Sequence, residues 1–141
     1  MRNLLFGLIL VLISLSVFAG NVSVTGAWLR LLPGDLPLAG YARVVNTGKH
    51  AVVLEGASSP EFSSVQMHRS VTRSGMDTMV PVGPMRIGPG KNIDFAPGGY
   101  HLMLMGRKHP LHIGEQVPIT LEFSDNTHLM VEFVVRGATG Q

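Results

Sequence analysis

Cysteine is absent from this 141-residue chain. That excludes disulfides, and it excludes any metal site built on thiolate. It also leaves no side chain to carry a lipid anchor, so none is expected. Aromatic residues are few, with one Trp, two Tyr and six Phe. Charge of one sign is never concentrated: 11 Lys and Arg against 9 Asp and Glu are scattered, for a formal net charge of +2. A basic patch of the kind that binds nucleic acid is therefore missing, and no nucleic-acid partner is expected. No stretch carries a helical hydrophobic period either. What replaces it is turn residues every eight to twelve positions, with 17 Gly and 9 Pro in the chain. Such punctuation predicts an all-β sandwich or barrel.

The chain opens "MRNLLFGLILVLISLSVFAG". Arg2 precedes an uncharged run from Leu4 to Phe18, and Val17 and Ala19 are small residues at the −3 and −1 positions of a cleavage site. This three-part pattern predicts a secretory signal peptide over 1–19, removed after Ala19. The run is shorter than the roughly 18–20 apolar residues that span a bilayer, so no membrane insertion is expected after cleavage. The destination is outside the cytoplasm. Residues 20–141, about 122 in number, suffice for one domain with a real core.

Within that domain the strands are legible. "VSVTGAWLRL", "AGYARVVN", "HAVVLEGAS" and "SSVQMHRSV" read as strands, the second ended by an Asn-Thr-Gly turn. "RSGMD" reads as a hairpin turn into "TMVPV". "VGPMRIGPG" is too rich in Gly and Pro for a central strand and reads as a crossover with one short extended piece. "NIDFAPGG" and "YHLMLMG" follow. "QVPITLEFS", the turn "DNT" and "HLMVEFVVRG" then form a closing hairpin, with Ile119, Leu121, Phe123, Leu129, Val131, Phe133 and Val135 on its inward face. The expected architecture is an antiparallel β-sandwich with Greek-key connections.

The unusual abundance is methionine. Eight are present, six of them between Met67 and Met105, and two histidines, His68 and His101, lie in the same interval. In "GGYHLMLMG" alternate side chains face opposite ways, so Leu102 and Leu104 face the core while His101, Met103 and Met105 share the other side. Thioethers on a polar face gain nothing in burial that Thr or Lys would lose. His68 precedes the predicted hairpin turn and Met79 follows it, so strand pairing returns Met79 close to His68. Two donors from the hairpin and two from one strand make a four-ligand cluster. Its imidazole nitrogens and thioether sulfurs carry no charge and are soft or borderline donors. They favour Cu(I) over Zn(II), and over Ca(II) or Mg(II), which require oxygen. A blue-copper electron-transfer site would need the missing thiolate. The remaining residues take plainer readings. Met130 is expected as a core filler, and His50, His109, His112 and His128 as turn or surface residues, with a weak metal contact at His109 and His112 as the alternative. Trp28 and Tyr41 are assigned to core or sheet edge, and Arg69 and Arg73 to a solvated hairpin surface.

The spacing His68, ten residues, Met79, twenty-one residues, His101, one residue, Met103 resembles the ligand signature of the periplasmic copper chaperones of the PCu(A)C type. "APGGYHLMLMG" and "VPITLEF" are similar to that family's segments, and the likeness runs from "AWLR" to "VEFVV". The resemblance implies a cupredoxin-like β-sandwich binding one Cu(I) per chain through His68, Met79, His101 and Met103. It also implies a periplasmic monomer delivering copper towards the binuclear copper centre of cytochrome c oxidase. The receiving protein would be subunit II of that oxidase or another periplasmic copper protein. Met67, Met76, Met85 and Met105 are not carried over as ligands; Met76 and Met85 are read as packing residues, with transient docking of copper as the alternative. "RGATGQ" lacks the His- and Met-rich tail of some relatives, so a second copper site is not expected. Two other functions compete. One is a metal-free extracytoplasmic interaction module that docks a partner through its methionines. The other is a copper-dependent redox enzyme, for which no Ser-His-Asp set, carboxylate pair or amino-terminal His stands out.

Overall fold

The computed structural model describes residues 17–141. Eleven strands organise them: β1 (Val17–Ala19), β2 (Val22–Arg30), β3 (Leu38–Asn46), β4 (Val52–Ser58), β5 (Phe62–Arg73), β6 (Met76–Pro81), β7 (Met85–Ile87), β8 (Asn92–Phe95), β9 (Tyr100–Arg107), β10 (Gln116–Phe123) and β11 (His128–Arg136). No helix occurs among the described residues. The expected signal peptide lies outside them except for its last three residues, which form β1 and pair with Val22–Val24 of β2.

The strands run in the order β5-β9-β3-β2-β11-β10-β4, and Ala57 of β4 pairs back with Val65 of β5. The sheet thus closes on itself as a flattened, cupredoxin-like sandwich. β6 and β7 extend the two ends of this path as edge strands, and β8 adds to the side of β3. β3 and β4 are consecutive but not paired, because the chain crosses between the two sheets in Greek-key fashion. Pairing is antiparallel with two exceptions, β2 with β11 and a single parallel contact of β8 with β9. Those exceptions escape sequence reading, because no local signal reports which distant strand lies alongside.

Alternation decides what the sandwich buries. Val117, Ile119, Leu121 and Phe123 of β10 lie beside Leu129, Val131, Phe133 and Val135 of the paired strand β11 on one inward face, each with at most 4% of its surface exposed. Leu38, Ala42 and Val44 of β3 and Leu102 and Leu104 of β9 join them. Met67 belongs to this set too, since it stands opposite Leu102 in the register. Met130 does not. It was expected in the core but is 57% exposed, because the period that buries Leu129 and Val131 turns it to solvent. The Asn-Thr-Gly turn is held from beneath: buried Asn46 donates to the carbonyls of His50 and Ile87 and accepts from the Gly48 amide.

The hairpin that carries Met79 follows from its turn. Arg73 pairs with Met76, leaving Ser74 and Gly75 as the two loop residues, both at positive φ (51° and 75°). Such a loop matches the right-handed twist of its strands and sets a register without slack. That register puts Met79 opposite Ser70 and Pro81 opposite His68.

Candidate metal centre

β6, β5 and β9 lie side by side, and their registers gather the four candidate ligands. His68 on β5 stands directly opposite His101 on β9, and Met103 stands opposite Gln66. Residues opposite one another share a face, as do residues two apart. Gln66, His68 and Ser70 of β5, Met79 of β6 and His101 and Met103 of β9 therefore occupy one face of the sheet, the one turned away from Leu102, Leu104 and Met67. The two imidazole rings are 5.8 Å apart between centroids and tilted by 52°.

This outer face is not open. His68 is 8% and His101 3% exposed. A cleft of about 280 Å³ lies beside them, lined by His101, Met103 and Met79 together with Arg30, Tyr41 and the loop residues Leu36 and Pro37, while His68 is buried behind its lining. One register row explains its shape. Arg30 of β2 pairs with Ala39 of β3, Ala39 with Met103 of β9, and Met103 with Gln66 of β5. The small Ala39 leaves a trough beside Met103. Arg30 forms its far wall, stacked over Trp28 and Tyr41 at 5.7 and 5.2 Å from the ring centroids. The cleft is mainly apolar.

Burial leaves both imidazoles neutral at ordinary pH. Desolvation pushes the pKa of His68 below its usual value of 6.5. His101 is lowered by the same cause, partly opposed by its hydrogen bond to the Gly99 carbonyl and reinforced by the neighbouring His68. Each ring has one nitrogen engaged, His68 Nε2 to Gln66 Oε1 at 2.9 Å and His101 Nδ1 to Gly99 O at 3.4 Å. The other nitrogen of each, Nδ1 of His68 and Nε2 of His101, is buried with no hydrogen-bond partner. Buried polar atoms are rarely left in that condition, and a bound metal ion satisfies such a lone pair. Among the described residues no three His, Asp or Glu side chains converge, so a metal at this place would depend on the thioethers as well. The residues present fit a soft cation.

The remaining soft side chains separate cleanly. Met76 is 68% exposed and pairs with Arg73, which puts it on the opposite face of the hairpin from Met79. Met85 pairs with Leu54 and packs on the core. Met105 shares the site face, one step beyond Met103 and opposite Ser64. His109 is taken up in a hydrogen bond to the Pro110 carbonyl and an ion pair with Glu61, which together raise its pKa. Both ring nitrogens of His109 are thus engaged within the protein. Gln66, Arg30 and Tyr41 received no role at the site from sequence. For Gln66 the signal was available in its position two residues before His68; for Arg30 and Tyr41 it required the pairing of β2 with β3.

Fold and donor set together define a class: an all-β cupredoxin-like sandwich with a histidine and methionine cluster on its outer face. Comparison with known proteins gives the family. The LpqE-like family, described as "Putative lipoprotein LpqE-like", matches residues 22–135, and the chain belongs to it. A protein of Leifsonia xyli subsp. xyli (strain CTCB07), described as "Putative lipoprotein Lxx21020", is 38% identical over 86% of this chain and 74% of its own length. Among solved structures, the copper-bound PCuAC domain from PmoF2 superposes with a TM-score of 0.73 at 24% identity, covering 86% of this chain and 97% of that domain. The Cu(I) form of DR1885 from Deinococcus radiodurans superposes with a TM-score of 0.60 at 29% identity, covering 89% and 81%.

Proposed function

We propose that this protein is an extracytoplasmic copper chaperone that binds one Cu(I) through His68, Met79, His101 and Met103 and passes it to a copper-receiving protein. The observation that carries the reading is the pair of buried, partnerless lone pairs on facing imidazoles, His68 Nδ1 and His101 Nε2, on one face with two thioethers. The likeness to the Cu(I) form of DR1885 and to the copper-bound PmoF2 domain supports the same cargo. Neutral imidazole and thioether ligands hold a monovalent ion without trapping it. Release has a natural starting point: Met79 lies on the edge strand β6 and is 56% exposed. A recipient's donor can replace Met79 first, while the two buried histidines retain the ion until the exchange proceeds. No catalytic turnover is assigned to the chain.

The LpqE-like lipoprotein family and the leader-like sequence support a location outside the cytoplasm, in the periplasm if the cell has one. The recipient we favour is subunit II of cytochrome c oxidase or another extracytoplasmic copper protein. Titration against a chromophoric Cu(I) chelator tests the cargo, with one tightly held ion per chain expected at neutral pH. Mixing the loaded protein with a copper-free soluble domain of the oxidase subunit tests the recipient. Transfer without release to a competing chelator is expected, and no binding of Cu(I) would reject the function outright.

A further inference from the structure

The two histidines are held by similar devices that engage opposite ring nitrogens, and the inference drawn from them extends the copper reading on which it rests. A neutral imidazole has one N–H and one lone pair, and a carbonyl oxygen can only accept. The nitrogen facing the Gln66 amide oxygen must therefore carry the proton on His68, which is Nε2. By the same rule the proton on His101 is on Nδ1, which faces the Gly99 carbonyl. Each device comes from the residue two positions earlier on or beside the same strand. The Gly99 carbonyl also accepts the Ser70 amide at 3.1 Å, which ties it to β5 and fixes its direction. The nitrogens left with lone pairs are the two that are buried without partners.

We propose that Gln66 is a positioning residue that locks His68 as its Nε2–H tautomer, so that the metal is held by Nδ1 of His68 and Nε2 of His101. The asymmetry has a geometric use. Nδ1 is the ring nitrogen nearer the backbone and Nε2 the farther one, so β5 and β9 would offer a bound ion nitrogens at different distances from the sheet. Gln66 is exposed and stands outside the core cluster, so its replacement is expected to leave folding intact. Its neutral amide orients the ring without adding a charge that would hold the cation more firmly. Groups that orient metal-binding histidines commonly change affinity ten- to a hundredfold when removed.

The test reads the rings directly. In metal-free protein, long-range ¹H–¹⁵N spectra of the imidazoles are expected to show His68 protonated at Nε2 and His101 at Nδ1. In Gln66→Leu, His68 should become a mixture of tautomers while His101 keeps its own, and Cu(I) affinity should fall about tenfold or more. Gln66→Glu, which keeps the acceptor, should restore the single tautomer. On loading with Cu(I), the ¹⁵N shifts of His68 Nδ1 and His101 Nε2 should move. A His68 protonated at Nδ1 in the free protein, or unchanged tautomer populations in Gln66→Leu, would overturn the proposal. Correct tautomers without any Cu(I) binding would count against the copper function alone, since the ring assignment needs no metal.

Discussion

Replacing Met79 and Met103 together by Leu separates a ligand role from a packing role. Leu nearly preserves volume and apolarity, and such swaps cost less than about 1.5 kcal/mol even in cores. Here the cost is smaller still, because Met79 is 56% exposed and Met103 only half-buried. The metal-free variant should therefore melt close to the natural protein. Its response to copper should differ. With free Cu(I) buffered at a hundred times the natural protein's Kd, binding adds about 2.7 kcal/mol to stability. A domain of about 120 residues loses about 0.25 kcal/mol per degree near its Tm, so the natural protein should gain about 10 °C. If losing two of four donors weakens binding a thousandfold, the same buffer adds less than about 0.1 kcal/mol and the shift vanishes. Circular dichroism melts in a Cu(I)-buffered, oxygen-free solution measure both. Met130→Leu is the control: Met130 is as exposed as Met79 but lies on β11, outside the candidate site. A double variant that still gains 10 °C, or a Met130→Leu protein that loses the gain, would refute the ligand assignment.

Acid should destabilise the metal-free protein. The folded pKa values of His68 and His101 lie below 6.5, so between those values and 6.5 the unfolded chain binds more protons. Their contribution is full above about pH 6.5 and lost as the pH falls towards the folded values. His109, with its raised pKa, acts in the opposite sense, so urea midpoints are best compared in a His109→Gln background; a midpoint that rises on acidification there would contradict the burial argument. Gly106→Ala should cost about 2 kcal/mol, because Gly106 has φ of 65° and a Cβ there would meet Ser63 Oγ at 2.3 Å; an unchanged urea midpoint would count against the positive-φ backbone and close approach to Ser63 near the end of β9. Ser74→Asn should stabilise the hairpin by a few tenths of a kcal/mol, about 0.5 at most, since Asn tolerates the positive φ that Ser74 adopts. A fall in Tm in that variant would show that the two-residue loop is misassigned.

Periodicity made the core legible. The alternation in β10 and β11 named its inward residues, and the alternation in β9 separated Leu102 and Leu104 from His101 and Met103. Where expectation rested on a residue type instead of its phase, it failed, as Met130 shows: a methionine is usually buried, but this one has the wrong parity. Phase also separates Met76, read from sequence as a packing residue, from Met79: the two are near in sequence but on opposite sides of the hairpin. The trough beside Met103 depends on Ala39 and Arg30, more than sixty residues away in the chain, and no local pattern announces them.

By itself, then, the order of residues determined strand periods, the turn at Ser74–Gly75 and the supply of uncharged soft donors, because these follow from local stereochemistry and side-chain chemistry. Tertiary structure alone decided that the polar-looking face of β9 is enclosed, that His68 and His101 stand opposite each other, and that each keeps a lone pair without a partner. Those outcomes require strands distant in sequence to pair in one register. The free energy that selects that register is spread over the whole buried core, so no short segment can reveal it.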